Sequence, residues 1–132
     1  MPVSDSSTAV MQSVRSAPGS AKTGAWTQVT GVYDATNQQL LLYVNGGDGV
    51  TAGDGVPAAS TAPLTVLPWS APASGVLRLG VNWTSGTGIE NYFNGEMSAA
   101  CAFYGPLAGP DIQTLYDGGA GDGCSALFTQ YP

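Results

Sequence analysis

The chain has 132 residues, a formal net charge of −6 and only three cationic side chains, Arg15, Lys22 and Arg78. Because a phosphate backbone is bound by clustered Lys and Arg, this composition excludes nucleic acid as a partner and disfavours an anionic membrane surface. The sequence has no apolar run of about 20 residues, so it predicts no membrane span, and with two cysteines and no histidine it excludes a zinc site.

The length predicts one domain, residues 1–132, with enough chain to bury a core. Charged residues make up only 9% of the chain, while 19 glycines and nine prolines accompany three Trp, six Tyr and three Phe. Turn-forming residues mixed with aromatic residues predict many short strands joined by turns, and the aromatic content argues against disorder.

The N-terminal half is predicted to contain strands and turns. A strand is expected at 8–15, and a turn-rich loop at 17–25. Two apolar runs, near 26–33 and 39–45, are separated by the polar turn Asp34–Asn37 and predict an antiparallel hairpin. The apolar residues that this spacing places mostly on one face are Trp26, Val29, Val32, Leu40, Leu42 and Val44. Trp26, Tyr33 and Tyr43 are expected to pack in the core or on the sheet surface.

A tight turn at 45–49 and a short returning strand at 50–53 are expected next, because Asn and Gly tolerate the positive φ of such turns. The remaining predicted elements are strands at 64–67, 76–81, 95–104 and 125–131, a polar loop at 82–94 and a glycine loop at 117–123. A short helix is predicted at 110–116, with Pro110 in its first turn and Gly118 after its end. Many short strands with one short helix predict an all-β sandwich.

The two cysteines, Cys101 and Cys124, suit an oxidising compartment, together with the low charge and the abundant Ser, Thr and Gly. They are expected either to form a disulfide or to be two buried free thiols. A disulfide would contribute about 3 kcal/mol by restricting the unfolded chain. We expect the disulfide, and with it a secreted, extracellular protein.

Four segments in order along the chain carry a family resemblance. They are the tryptophan hairpin at 26–46, Trp69 followed by the strand at 75–80, the aromatic-x-Gly motif at 93–97, and the helix segment at 107–116. Together they resemble the laminin-G-like jelly-roll domains of secreted bacterial proteins, which have the concanavalin-like lectin fold. The resemblance covers residues 24–118 and implies an antiparallel β-sandwich of jelly-roll type with one short helix near 110–116.

The chain departs from that family in two ways. The family has two aspartates after its glycine step, where this chain has Ser98 and Ala99, so calcium, which needs charged oxygen ligands, is disfavoured there and no other cofactor is expected. The family domain also begins with strands upstream of the hairpin, and only residues 1–25 precede Trp26 here. The chain is therefore expected to be the C-terminal two-thirds or more of the family domain. It would be a fragment, a subunit completed by another chain, or a smaller closed sandwich.

The loop after the predicted strand at 76–81 is the expected binding region. Trp83 and Tyr92 offer flat apolar faces for stacking, and Asn82 and Asn91 can hydrogen-bond to hydroxyl groups. A sugar presents both kinds of surface. The competing interpretation is that Trp83 and Tyr92 cover the open end of the core.

Catalytic and metal chemistry have less support in the sequence. Glu90 and Glu96 are a candidate carboxylate pair for glycoside hydrolysis, but the closely spaced Glu-x-Asp of the glycosidases with this fold is missing. The lack of histidine excludes Ser-His chemistry. Asp48 and Asp54 could contribute to a cation cage, but ordinary turn residues are the expected role for both, as for Asp34.

We therefore predict a non-enzymatic, lectin-like or adhesion module that binds glycan or a cell-surface protein through Asn82, Trp83, Asn91 and Tyr92. The alternative is a structural subunit whose sheets are completed by a second copy or another chain through strand addition. A glycoside hydrolase is the third interpretation.

Overall fold

A computed structural model describes residues 13–64, 79–84, 88–90, 92–118, 124 and 127. Its elements are the strands β1 (Val29–Asp34), β2 (Gln39–Val44), β3 (Ala59–Ser60), β4 (Asn82–Thr84) and β5 (Gly88–Glu90), and the helix α1 (Gly109–Asp117). The first three strands form an antiparallel sheet in the order β1-β2-β3, and β4 pairs with β5. The predicted β-rich fold with one short helix is confirmed at this level.

The central hairpin forms where the sequence predicts it. Strands β1 and β2 pair antiparallel from Val29 opposite Val44 to Asp34 opposite Gln39. One oxygen of the Asp34 carboxylate accepts backbone N–H groups of Thr36 and Asn37 at 2.9 and 3.0 Å, which closes the turn. These bonds, with one from the Asn37 amide, hold the pKa of Asp34 below its usual value. The expected turn role of Asp34 is confirmed, although β1 begins at Val29 rather than at Trp26.

Both faces of β2 are covered: Leu40, Leu42 and Val44 share one face, as the spacing predicts, but Val32 lies on the other face with Tyr43. Tyr43 lies on one face with Val32 and belongs to the core that includes the helix residues Ile112 and Leu115. Leu40 lies on the opposite face, in a second core cluster formed with Val14 and Leu64. Val29 and Val32 are three residues apart and therefore face opposite sides of the sheet. Val32 is buried beneath the helix, whereas Val29 is exposed.

Helix α1 confirms the predicted short helix and extends it by one residue at each end. Pro110 lies in the first turn, and the Asp111 carboxylate accepts the backbone N–H of Ala108 at 3.1 Å. Ile112 and Leu115 are three residues apart and both buried, so they form the stripe that packs on the sheet. The helix ends where the Gly118 N–H donates to the Thr114 carbonyl at 3.0 Å.

Several predicted elements differ from the structure. The returning strand at 50–53 is instead a turn, because the Asp48 carboxylate accepts the backbone N–H groups that a ladder would need. The polar loop at 82–94 contains the β4–β5 hairpin. The strand at 95–104 is absent: this stretch has no regular secondary structure, because no strand in the described part of the chain pairs with it.

Other predicted strands fall partly or wholly outside the described residues. Of the predicted strand at 8–15, only residues 13–15 are described, and they form no strand. Of the predicted strand at 76–81, only residues 79–81 are described, and they form no strand. At 64–67 only Leu64 is described, and at 125–131 only Leu127, which is helical. Trp69 and most of the glycine loop at 117–123 lie outside the described residues.

Candidate functional site: the Trp26 groove

Two turns bring the segment before β1 onto the protein surface. The Ser20 backbone N–H and hydroxyl both donate to the Ala17 carbonyl, at 3.3 and 2.7 Å, and close the first turn. Gly19 and Gly24 both have positive φ, which a glycine adopts without steric cost. The chain then passes through Lys22 and Trp26 on its way into the sheet.

Residues Gln28 and Asn45 join the start of β1 to the end of β2. The Asn45 N–H donates to the Gln28 carbonyl at 2.9 Å, and the Gln28 N–H donates to the Asn45 side-chain oxygen at 3.0 Å. Asn45 has a φ of 54°, so the chain turns sharply after β2. Trp26, two residues before Gln28, is therefore held beside the glycine-rich loop at 45–56, the glycine-rich turn.

The aspartates of the glycine-rich turn serve its own backbone. Asp48 accepts the N–H groups of Val50 and Thr51 at 2.7 and 2.6 Å, and Asp54 accepts that of Val56 at 2.9 Å. The bonds from Thr51 and Val50 hold the pKa of Asp48 below its usual value. Both residues act as turn residues, as predicted. No group of three or more His, Cys, Asp or Glu in the described residues is arranged to hold a metal ion.

Helix α1 supports the glycine-rich turn from behind. The Gln113 side-chain amide donates to the Gly53 carbonyl at 2.6 Å. Gly46 lies so close to Tyr116 that an added Cβ would come within 2.5 Å of the tyrosine Cβ. The backbones of Gly55 and Gly109 are also in close contact, since a Cβ added at Gly55 would lie 2.9 Å from the Gly109 carbonyl oxygen. The turn therefore rests on a rigid helix, and its outer side is held in place.

The outer side of the glycine-rich turn borders a small cavity of about 190 Å³. Its polar lining comes from Ser20, Lys22, Thr27 and Asn45, and its aromatic wall from Trp26. Hydrogen bonds of Ser20 and Asn45 hold part of the backbone that borders this cavity.

The same tryptophan also lines a wider groove of about 530 Å³, the Trp26 groove. Residues 21–26 form one wall, and Phe93, Asn94, Gly95 and Glu96 form the other. Trp26 is 66% exposed and Phe93 57% exposed, so both rings face solvent rather than the core. The Phe93 N–H donates to the Gly80 carbonyl at 2.7 Å, which positions the second wall.

The four residues predicted to bind ligand are placed only in part. Asn82 and Trp83 lie in β4, opposite Glu90 and Ile89 of β5. Asn91 lies outside the described residues, and Tyr92 is exposed next to Phe93. The β4–β5 pairing thus brings the backbone of Asn82 near the start of the second wall. Tyr92 itself lines neither of the two cavities described above.

Sequence reasoning missed the role of Trp26 and Phe93. Trp26 was expected to pack in the core or on the sheet, whereas Tyr43 is the aromatic residue that the hairpin buries. The signal that could have identified Trp26 is its position directly after a turn-rich stretch, before regular pairing begins. Of the proposed carboxylate pair, Glu96 lines the groove and Glu90 lies in β5.

Cys101 and Cys124 form a disulfide, with their Cα atoms 6.1 Å apart, and this prediction is confirmed. Cys101 follows the groove wall in sequence, and Cys124 follows α1. Phe103, two residues after Cys101, packs against the helix-side core. The disulfide and Phe103 together tie the segment that carries Phe93 to the hairpin–helix core.

Comparison with protein-family models, curated proteins and solved structures finds no match to this chain. Among the described residues, no helix is long and apolar enough to cross a membrane. Function is therefore inferred from the residues of the groove and their geometry.

Proposed function

We propose that this chain is a non-enzymatic recognition module that binds glycan in the Trp26 groove. The observation that carries the proposal is the pair of solvent-facing aromatic rings, Trp26 and Phe93, that line one groove. Burial is the usual state of large aromatic side chains, so two exposed rings in one concavity favour a ligand that stacks on them.

The polar residues of the groove suit the same ligand class. A pyranose presents C–H faces that pack on aromatic rings and hydroxyl groups that need hydrogen-bond partners. Lys22, Asn94 and Glu96 line the same groove and supply hydrogen-bond donors and acceptors. Asn82, Trp83, Asn91 and Tyr92 are proposed to extend the binding surface beyond the second wall, as the sequence predicts.

The wider setting of the proposal is a jelly-roll sandwich of the laminin-G-like type in a secreted adhesion protein. The three-stranded antiparallel sheet, the short helix and the disulfide are compatible with that setting. The disulfide favours location in an oxidising compartment, and the partner proposed there is a glycan or a cell-surface protein.

The test is binding of the intact chain to a panel of neutral and acidic oligosaccharides, measured by titration calorimetry. We expect Trp26→Ala to weaken binding at least about tenfold, because stacking on the ring is lost, with an unchanged melting temperature. Tyr104→Ala is the matched control, since Tyr104 is 92% exposed and lies outside the groove.

Two results would contradict this function. One is a wild-type chain that binds no oligosaccharide of the panel. The other is a Trp26→Ala chain that binds as tightly as the wild type, which would remove the groove from recognition. Trp83→Ala tests the proposed extension separately, and an unchanged affinity there would restrict the site to the Trp26 groove.

A structural or assembly subunit is the second candidate function. The observation that favours it is strand β1, which lies at the edge of its sheet and pairs only with β2 among the described residues. Strand addition at such an edge is a known mode of association.

A further inference from the structure

Strand β1 is a long sheet edge, and no strand in the described part of the chain pairs with its outer side. It spans six residues, and its exposed side chains include Val29 and Tyr33, at 64% and 41% exposure. Its first five residues, 29–33, include no charged residue and no proline, and its only charged residue is Asp34 at the end. Soluble proteins usually protect such edges with charge, proline, a bulge or a very short strand.

The opposite edge of the same sheet has that protection. Strand β3 has two residues, and Pro57 and Pro63 lie close on either side of it. A proline has no N–H to offer to an added strand, so it ends pairing. The contrast between the two edges identifies β1 as the edge that is open to association.

The backbone groups that β1 directs outward follow from its pairing with β2. The Gln28 carbonyl accepts the Asn45 N–H, and the Gln28 N–H donates to the Asn45 side-chain oxygen, so both backbone groups of Gln28 point toward the β2 side. In an antiparallel ladder this orientation alternates, so Thr30 and Val32 point inward as well. Val29, Gly31 and Tyr33 therefore present their N–H and C=O groups outward.

We propose that the β1 edge pairs with the β1 edge of a second copy of this chain, antiparallel and centred on Gly31. In that register Val29 lies opposite the partner's Tyr33, and Gly31 lies opposite the partner's Gly31. All three outward-facing residues then form hydrogen-bonded pairs, with roughly six backbone bonds in all. The two strands form a two-fold symmetric interface that continues the sheet across both chains.

The edge is complementary to itself, which is why the partner is a second copy. Each Val29 meets a Tyr33, and pairs of a β-branched with an aromatic residue are favourable across strands. The chain carries a net charge of −6, but residues 29–33 carry no charge, and in this register the two copies of Asp34 lie at opposite ends of the interface, which limits their repulsion. The interface contains neither Trp26 nor Phe93 and stands independently of glycan binding.

Variants that carry like charges at Val29 and Tyr33 test the proposed register. A Val29→Lys/Tyr33→Lys chain would place lysines opposite each other in the pair, and a Val29→Glu/Tyr33→Glu chain would do the same with glutamates. Both residues are exposed, so the fold tolerates either change. Val56→Lys/Tyr104→Lys is the matched control, because it changes the same two residue types at exposed positions away from β1.

The mass of the particle in solution is measured by light scattering after size-exclusion chromatography, at protein concentrations from about 1 μM to about 1 mM. We expect the wild type and the control to form dimers, each charged variant to be monomeric, and the mixture of the two charged variants to form a dimer again. A wild type that stays monomeric at every concentration would overturn the proposal and leave the edge to a strand of another protein. A lysine variant that associates as the wild type does would also overturn it.

Discussion

The hairpin–helix unit and the segment at 92–106 use similar residues in opposite ways. In the first region, Val32 and Tyr43 of the sheet and Ile112 of the helix are buried together. In the second region, Phe93 and Tyr104 are exposed and the backbone forms no regular element.

The difference lies in what each region packs against. The hairpin packs one face against the helix-side core and the other against Val14 and Leu64, so Val32, Tyr43 and Leu40 are buried on its two faces. The segment at 92–106 is attached through Phe93 to Gly80, through Phe103 to the core, and through the disulfide. Apolar side chains therefore stabilise this fold only where a second surface covers them, and elsewhere they remain exposed to solvent.

The largest effect is expected from truncation in the hairpin–helix unit. Ile112 is 0% exposed, and Ile112→Ala should lower the free energy of unfolding by about 2–5 kcal/mol, because it leaves a cavity between helix and sheet. Met97→Ala removes a comparable side chain from the exposed segment and should cost less than about 1 kcal/mol. Urea unfolding measures both. Equal losses would mean that the exposed segment is as well packed as the core, and the comparison would fail.

An intermediate effect is expected where the glycine-rich turn meets the helix. Gly46→Ala brings a Cβ against Tyr116 and should destabilise by about 2–4 kcal/mol, from backbone strain and overpacking together. Gly24→Ala is the matched control, since Gly24 also has positive φ but an added Cβ there meets nothing within 4 Å. The Gly24→Ala variant should lose only the contribution of backbone strain, about 1–2 kcal/mol of the free energy of unfolding. Similar melting temperatures for the two variants would mean that the helix does not support the turn.

The smallest effect is expected from the turn aspartates. The pKa values of Asp34 and Asp48 are lowered in the folded chain by backbone hydrogen bonds, so both carboxylates stabilise the fold above the unfolded pKa of about 3.9. This contribution is lost as the pH falls through the folded pKa, so the free energy of unfolding should decrease below about pH 4.

The control for this pH dependence keeps the turn geometry. Asp34→Asn/Asp48→Asn retains a side-chain acceptor for the turn N–H groups but cannot titrate. Its free energy of unfolding should change less between about pH 5 and about pH 2 than that of the wild type. Parallel pH curves for the two chains would assign acid destabilisation to other carboxylates.

The locally coded parts of the fold could be predicted. The β1–β2 hairpin is specified by its apolar spacing and by an Asp34 turn that bonds within three residues. Helix α1 is specified by Pro110, Asp111 and the spacing of Ile112 and Leu115. These signals act over a few residues, so neighbouring amino acids contain the required information.

The candidate site could not be predicted in the same way. The Trp26 groove needs residues 21–26 and 93–96 side by side, and they are far apart in the sequence. Whether an apolar residue is core or surface depends on what the rest of the chain places over it. Val29 and Val32 illustrate this: the same residue type in one strand is exposed in the first case and buried under α1 in the second.

The sequence by itself determined the turns, the hairpin, the helix and the low charge, because each follows from local conformational preference or from composition. Only the tertiary structure decided that β2 is covered on both faces and that Trp26 and Phe93 line the same groove. The physical reason is that burial and pairing are properties of two surfaces in contact, and a linear sequence does not state which surfaces meet.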